Sequence, residues 1–321
     1  MQRRSLLLSA GACALAPGLA HAQGAIEGPV TVVLPLQAAT ASDVAIRHLA
    51  ERLSQRTGTG FVVENVAAAA GLVGLERLAR ARPDGRTVAA LNNSIVTILP
   101  HLQASKMKGS PRADFVPIAG VANIPTFFAV PSTSSVRTIQ DLVRKAKSGR
   151  VLYSSGGVGS PQHLATEMFK AYTGTSLEHV PYRGAAQAAL AAASGEVDLM
   201  SMSLTLALPF LEDKRVRLIG YCGTDRHAQF RELPTLREQG VRDFDYSSWI
   251  ALFLHKEAPA PVLQALRREA QAVANDRDFH VQLIRSGLEP WARTPEELSR
   301  IVDQDFDRWK TIIARAKIGN A

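Results

Sequence analysis

The sequence predicts an α/β protein of two lobes, each built on a mixed, mainly parallel sheet flanked by helices. Three observations predict it. Short β-branched runs alternate with amphipathic helices along most of the chain. Strand–helix–strand units of this length imply parallel strands with right-handed crossovers. And 321 residues are many for one core but comfortable for two lobes.

The first segment is read apart from the fold. Arg3 and Arg4 open it without any acid, and residues 5–20 are a short apolar run broken by Pro17 and Gly18. Ala20-His21-Ala22 closes it as a small-x-small cleavage site. This is the pattern of a secretory signal peptide over 1–22, cut after Ala22. The run is too short to serve as a membrane anchor. Export by the Sec route is expected; Arg3-Arg4-Ser5-Leu6-Leu7 also matches the twin-arginine pattern weakly. Cys13 is not a lipidation site, because Ala10 stands where that motif wants Leu. Cleavage leaves 299 residues with only Cys222, so no intrachain disulfide can form. Cys222 sits in the apolar run 218–222 and reads as a small buried hydrophobe.

Val30–Leu34 is a continuous β-branched run, suited to a strand buried on both faces. Ser42 and Asp43 read as the cap of a helix whose Ile46, Leu49, Ala50 and Leu53 share one face. Gly58 and Gly60 end it before a strand at 61–64. A helix over about 71–81, a turn at Pro83-Asp84-Gly85 and a strand at 87–91 follow. The rhythm continues with strand 127–130, helix 139–147, strand 151–153 and a helix from Pro161 to about Tyr172. Helix 185–194 stops at Gly195, and strands 197–200 and 216–222 come next. The C-terminal third reads as helices 261–275, 279–286 and 295 to about 317.

Several function classes drop out. The formal charge of +8 is scattered, no Lys/Arg block resembles a nucleic-acid arm, and aromatics are only 6 % of the chain. Base-stacking platforms, and so nucleic acid, are not expected partners. The dinucleotide, Walker A and Gly-x-Ser-x-Gly patterns are all missing. His163 and Glu167 stand one turn apart, but two ligands without a third favour an ordinary helix-surface pair over a metal. No cofactor is expected, and no catalysis.

Three strand-to-helix loops carry the chemistry: 36–42, 65–71 and 154–160. Ligands of open α/β sheets bind beyond the carboxyl ends of strands. There the unsatisfied amides of a helix start favour an anion. The third loop, Ser154-Ser155-Gly156-Gly157-Val158-Gly159-Ser160 before Pro161, is the most informative. Its glycines let amides turn toward a ligand, and its serines add hydroxyl donors.

Short motifs then accumulate in order: Val62-Val63-Glu64-Asn65, Arg82-Pro83-Asp84-Gly85-Arg86-Thr87, Asp114-Phe115-Val116-Pro117-Ile118 and Tyr153-Ser154-Ser155-Gly156. They continue with His163-Leu164-Ala165, Val180-Pro181-Tyr182-Arg183-Gly184, Gly195-Glu196-Val197-Asp198, Leu233-Pro234-Thr235, Trp249 and Thr294-Pro295-Glu296-Glu297. With this spacing the chain resembles the periplasmic receptors of tripartite tricarboxylate transporters, the Bug proteins.

The resemblance implies a two-lobed periplasmic-binding-protein fold, type II-like, with two crossing segments. Lobe one is then 23–123 plus 224–321, and lobe two is 124–223. It implies a monomeric periplasmic receptor that closes on a small mono- or dicarboxylate and delivers it to membrane permease subunits. Delivery of a signal to a membrane sensor kinase is the alternative. In the family one carboxylate is held by amides and waters of the first and third loops rather than by a dedicated arginine. Carried over, the first loop supplies Leu36, Gln37, Ala39, Thr40, Ser42 and Asp43. The second supplies Ala70, and Ser94 and Ser201 follow strand ends. The third supplies Ser154, Ser155, Gly156, Gly159 and Ser160, with His163 behind it; Arg183 assists or is structural. Asp43 either accepts a ligand amine or serves only its helix. Two loops depart from the family. Gln37-Ala38-Ala39-Thr40 stands for Pro-Pro-Gly-Gly, and Val66-Ala67-Ala68-Ala69-Ala70-Gly71 for Arg-Pro-Gly-Ala-Gly-Gly. Alanines there restrict the backbone and place methyl groups toward the cleft.

Overall fold

The computed structural model describes residues 26, 28–246, 248–316 and 318. The signal segment, Cys13, the cut after Ala22 and the first residues of lobe one lie outside them.

The chain runs β1 (Val30–Leu34), α1 (Ala41–Thr57), β2 (Phe61–Asn65), α2 (Leu72–Ala79), β3 (Thr87–Asn92), a π-turn (Ser94–Ile98), α3 (Leu99–Leu102), α4 (Pro111–Asp114) and β4 (Phe115–Ile124). It continues with β5 (Thr126–Pro131), α5 (Ile139–Ser148), β6 (Leu152–Ser155), α6 (Pro161–Thr173), β7 (Glu178–Pro181), α7 (Ala185–Ser194), β8 (Leu199–Ser203), α8 (Leu204–Glu212) and β9 (Val216–Tyr221). It ends with β10 (Ser248–His255), α9 (Ala260–Ala274), α10 (Arg277–Arg285), β11 (Glu289–Arg293) and α11 (Pro295–Ala316).

Two mixed sheets result. The six-stranded sheet has the order β11-β4-β10-β3-β1-β2, and the five-stranded sheet β7-β6-β8-β5-β9. β1 pairs in parallel with β2 and β3, as the rhythm predicts. β4, β10 and β11 add antiparallel pairings on the far side. β5 joins β8 and β9 in the same antiparallel sense. β4, β7, β10, β11 and α8 lie outside the predicted elements. Pro117 and Gly120 inside β4 are residues that usually interrupt a strand.

Local rules account for the predicted elements. Val30, Val32 and Leu34 join the core under α1 and α9, while Val33 faces the opposite core, so β1 is buried on both sides. Ile46, Leu49 and Leu53 are each at most 1 % exposed. Each contributes roughly 1.5–3 kcal/mol by burial. α1 starts two residues earlier than a cap at Ser42 would place it. Thr40 is the N-cap and its hydroxyl accepts the Asp43 amide. Thr40 can do this because its extended backbone turns the side chain over the first helical turn.

The chain leaves the first sheet at Ile124 and enters the second at Thr126. It returns between β9 and β10. On the way, Leu236, Val241, Phe244 and Tyr246 pack into the second sheet's core with Phe128, Tyr153 and Phe169. α11 spans both bodies. Leu298 and Val302 lie in a core of the first sheet, and Trp309 and Ile312 in the core of the second. Cys222 is buried, and burial raises its thiol pKa well above the usual range, as expected of a structural cysteine. Among the described residues no helix is long and apolar enough to cross a membrane.

Candidate functional site

Between the sheets lies a cavity of about 330 Å³. Helix starts from both sides converge on it. Thr40, Ala41 and Ser42 bring the start of α1; Ser160, Pro161 and Gln162 that of α6; Ala185 that of α7; Ser203 and Leu206 that of α8. At three of these starts a hydroxyl caps the third helical amide: Thr40 for Asp43, Ser160 for His163 and Ser203 for Leu206. The first-turn amides before the capped one have no intrahelical acceptor. Those of Ala41, Ser42, Gln162 and Ala185 therefore remain to meet a ligand, and the positive ends of the helix dipoles favour an anion there.

None of the lining residues is ionisable. Ile95, Ile98, Leu99 and Leu102 of the π-turn and α3 form an apolar wall. Ser42, Asn92, Ser94, Thr126, Ser201, Ser203 and Ser248 supply neutral polar groups. Three of these are held in reserve: Asn92 Nδ2, Ser94 Oγ and Ser201 Oγ are buried without a hydrogen-bond partner. A buried unpaired donor costs about 1–3 kcal/mol, so all three are poised for a ligand or an ordered water. Among the described residues no group of three or more His, Cys, Asp or Glu is placed to hold a metal.

Ten of the sixteen expected site residues line this cavity: Leu36, Gln37, Thr40, Ser42, Ala70, Ser94, Gly156, Gly159, Ser160 and Ser201. The other six stand behind it. Ala39 gives its amide to the Asp43 carboxylate at 2.9 Å. Asp43 is 3 % exposed and also accepts from Arg47 Nε at 3.0 Å and Asn65 Nδ2 at 2.9 Å. Burial raises its pKa, but these bonds outweigh that and hold the carboxyl below its usual range. Its oxygens are thus occupied within the first lobe. Ser154 Oγ turns away and donates to the Ala188 carbonyl at 2.8 Å. Arg183 is exposed beside the start of α7, outside the lining.

Ser155 and His163 belong to a polar cluster under the third loop. Ser155 Oγ lies 2.6 Å from His179 Nε2 and accepts the Gly157 amide at 3.1 Å. His163 Nδ1 accepts the Gly159 amide at 3.3 Å. The two imidazoles sit 4.6 Å apart, and His179 stacks on Tyr153 at 4.8 Å. Tyr153 Oη donates to Glu167 at 2.5 Å, and Lys170 closes the cluster at 2.7 Å. Burial and the neighbouring His179 push His163 down to about 4, so it is a neutral acceptor at pH 7. Ser155 is fully buried, which makes the Ser–His pair a packing contact rather than an approachable nucleophile. The cluster spends the Gly157 and Gly159 amides on internal bonds. The third loop therefore presents fewer free amides than its glycines suggest, and the helix starts present more.

The sequence missed Asn92, Thr126, Gln162, Ala185, Ser203 and Ser248 as lining residues. Ser203 is the N-cap of α8, a helix carrying Pro209 whose apolar face blurs the periodicity. Asn92-Asn93-Ser94 immediately after a strand was the available signal for the others on that side.

Comparison with known proteins decides the family. The family model for the tripartite tricarboxylate transporter family receptor matches residues 45–318. The chain belongs to that receptor family. The UPF0065 protein in the tcbD-tcbE intergenic region of Pseudomonas sp. (strain P51) is similar to this chain, 30 % identical over 293 residues, covering 90 % of this chain and 87 % of its own. Two solved structures share the fold. R. palustris Rpa4515, solved with adipate, superposes with a TM-score of 0.85 at 28 % identity, over 91 % of this chain and 98 % of its own. The periplasmic binding protein BugD superposes with a TM-score of 0.84 at 27 % identity, over 91 % and 99 %. Ala39, Ala69 and Ala70 adopt the left-handed φ values of 60°, 50° and 56°, which glycine adopts without strain.

Proposed function

We propose that the protein is an exported solute-binding receptor that captures a small organic carboxylate between its lobes and delivers it to the permease subunits of a tripartite transporter. One observation carries the reading. Helix starts from both sheets surround one cavity that has no ionisable side chain but three unpaired buried polar groups. Such a site satisfies a carboxylate through amides and hydroxyls, as oriented dipoles and bound water can. The adipate on the R. palustris relative supports an organic acid as the ligand class. We take six of the eight hydroxyl-bearing lining residues, Thr40, Ser42, Ser94, Ser160, Ser201 and Ser203, as the ligand-binding side chains. Binding without turnover, a periplasmic location after removal of residues 1–22 and a monomeric state complete the proposal. The division of the chain into lobes follows the boundaries drawn above.

A thermal-shift screen of the purified mature chain against aliphatic, aromatic and amino-acid carboxylates tests it. A ligand at about 100 times its Kd should add about 2.7 kcal/mol of stability. A broad carboxylate panel that shifts nothing would remove the organic-acid reading. Conversion of a bound acid into product would replace the receptor by an enzyme.

A further inference from the structure

Gln37 reaches out of the first lobe and donates from Nε2 to the backbone carbonyl of Arg183 at 2.6 Å. The two residues are 146 positions apart: Gln37 follows β1 of the six-stranded sheet, and Arg183 lies between β7 of the five-stranded sheet and α7. The contact has a socket. A Cβ built on Gly184 would stand 2.2 Å from Gln37 Oε1, so the side-chain amide occupies space that only a glycine leaves open. Gly184 is also the N-cap of α7, and no side chain caps that helix from its own lobe. The lobes also approach each other nearby: a Cβ built on Gly159 would stand 3.7 Å from the Ala70 methyl.

The first loop is built to hold Gln37 in place. Thr40 Oγ1 donates to the Gln37 carbonyl at 2.9 Å. Two residues further on, Ala39 is kept in its left-handed conformation by donating to the buried Asp43 carboxylate at 2.9 Å. Arg47 and Asn65 fix that carboxylate in turn. Gln37 thus projects from a braced backbone, and little freedom remains to be lost when it meets Arg183.

The geometry points to Gln37 as a positioning residue for ligand binding: an interlobe latch that sets affinity through closure of the cleft. The inference rests on the receptor reading only in requiring lobes that open to admit a ligand. Opening must break the bond to Arg183, whether or not the cavity is filled. The latch therefore holds ligand-free protein largely closed, and it slows both entry and release. Removing one neutral hydrogen bond should raise the open-to-closed ratio about three- to tenfold.

The test measures interlobe distance in the full mature chain without ligand. Probes go on Glu51→Cys in the first lobe and Lys147→Cys in the second, both exposed, while native Cys222 is buried. The otherwise unaltered chain should show mainly the short distance. Gln37→Ala should populate the long distance three- to tenfold more, with an unchanged melting temperature. Gly184→Ala should do the same from the other lobe, because its methyl displaces the Gln37 amide. A ligand-free protein that is already open, or two variants that keep the parent distribution, would overturn the latch. The distances need no ligand, so the two readings fail separately. A shift without any carboxylate binding leaves the latch and removes the ligand class. Carboxylate binding without a shift leaves the receptor and removes the latch.

Discussion

Asn65 Nδ2 donates to Asp43 Oδ1 at 2.9 Å, tying the end of β2 to the first turn of α1. The same Asn65 side chain donates to the Leu36 carbonyl at 3.1 Å, so one amide braces the first loop at both ends. The Asp43 carboxylate is the centre of that brace. Its partners all come from residues 39–65, which makes it a scaffold of the cavity wall rather than a ligand contact.

Asp43→Ala should therefore cost roughly 2 kcal/mol of stability. The substitution strips the Ala39 amide of its acceptor, while Asn65 keeps Leu36 and half-exposed Arg47 can turn to water. The carboxyl is held below its usual range when folded. Its contribution is thus present above the ordinary aspartate pKa of about 3.9 and is lost as pH falls through the lower folded value. Urea unfolding of the parent and the variant at pH 7 and pH 3 checks both points; the gap between them should narrow at pH 3.

Ala39→Gly should stabilise the protein. A left-handed alanine costs about 1–2 kcal/mol, and the greater freedom of unfolded glycine returns about 0.4–1 kcal/mol of that. A net gain of roughly 0.5–1 kcal/mol in chemical denaturation is expected. A loss would mean that the methyl makes a contact outweighing the strain of its φ of 60°.

Ser201→Ala separates ligand binding from folding. Ser201 Oγ is fully buried without a partner, so its removal should leave stability unchanged or slightly higher. Affinity for a carboxylate found in the thermal-shift screen should fall by about two- to tenfold if the hydroxyl donates to that ligand. Isothermal titration of the two proteins reads the affinity, and denaturation reads the stability.

His163 makes folding sensitive to mild acid. The unfolded chain takes this proton near pH 6.5, while the folded imidazole takes it only near 4. Between those values the unfolded state binds the extra proton, so stability falls as pH falls, by up to about 3 kcal/mol. His179 faces His163 and is also lowered by burial, with Glu167 and Lys170 acting in opposite directions on both rings. His163→Gln should flatten the stability profile between pH 7 and pH 4.5. An unaltered slope would assign the effect to His179.

Much of the fold is written within a few residues of chain. Three- and four-residue spacing marks α1 through Ile46, Leu49 and Leu53, and Gly58 in the left-handed conformation stops it. The continuous run Val30–Leu34 announces a strand buried on both faces. Strand-to-helix loops announce where a ligand would meet helix starts. Such features are legible because hydrogen bonds and side-chain periodicity link near neighbours. β10 and β4 escape that logic, since their pairing joins Trp249 to Asn123 across the whole of the second lobe.

The side on which a serine presents its hydroxyl is not local either. Ser154 and Ser201 stand on neighbouring strands of one sheet, yet Ser154 bonds to Ala188 of α7 and Ser201 faces the ligand space. Strand alternation fixes that successive side chains point opposite ways. Which way is the cleft depends on what packs on each face. The same holds for Gln37, an unexceptional polar residue in sequence until the lobes bring Arg183 and Gly184 to it. Contacts between distant segments follow from the relative placement of whole sheets, and that placement is set by the summed burial of both cores and of α11 bridging them.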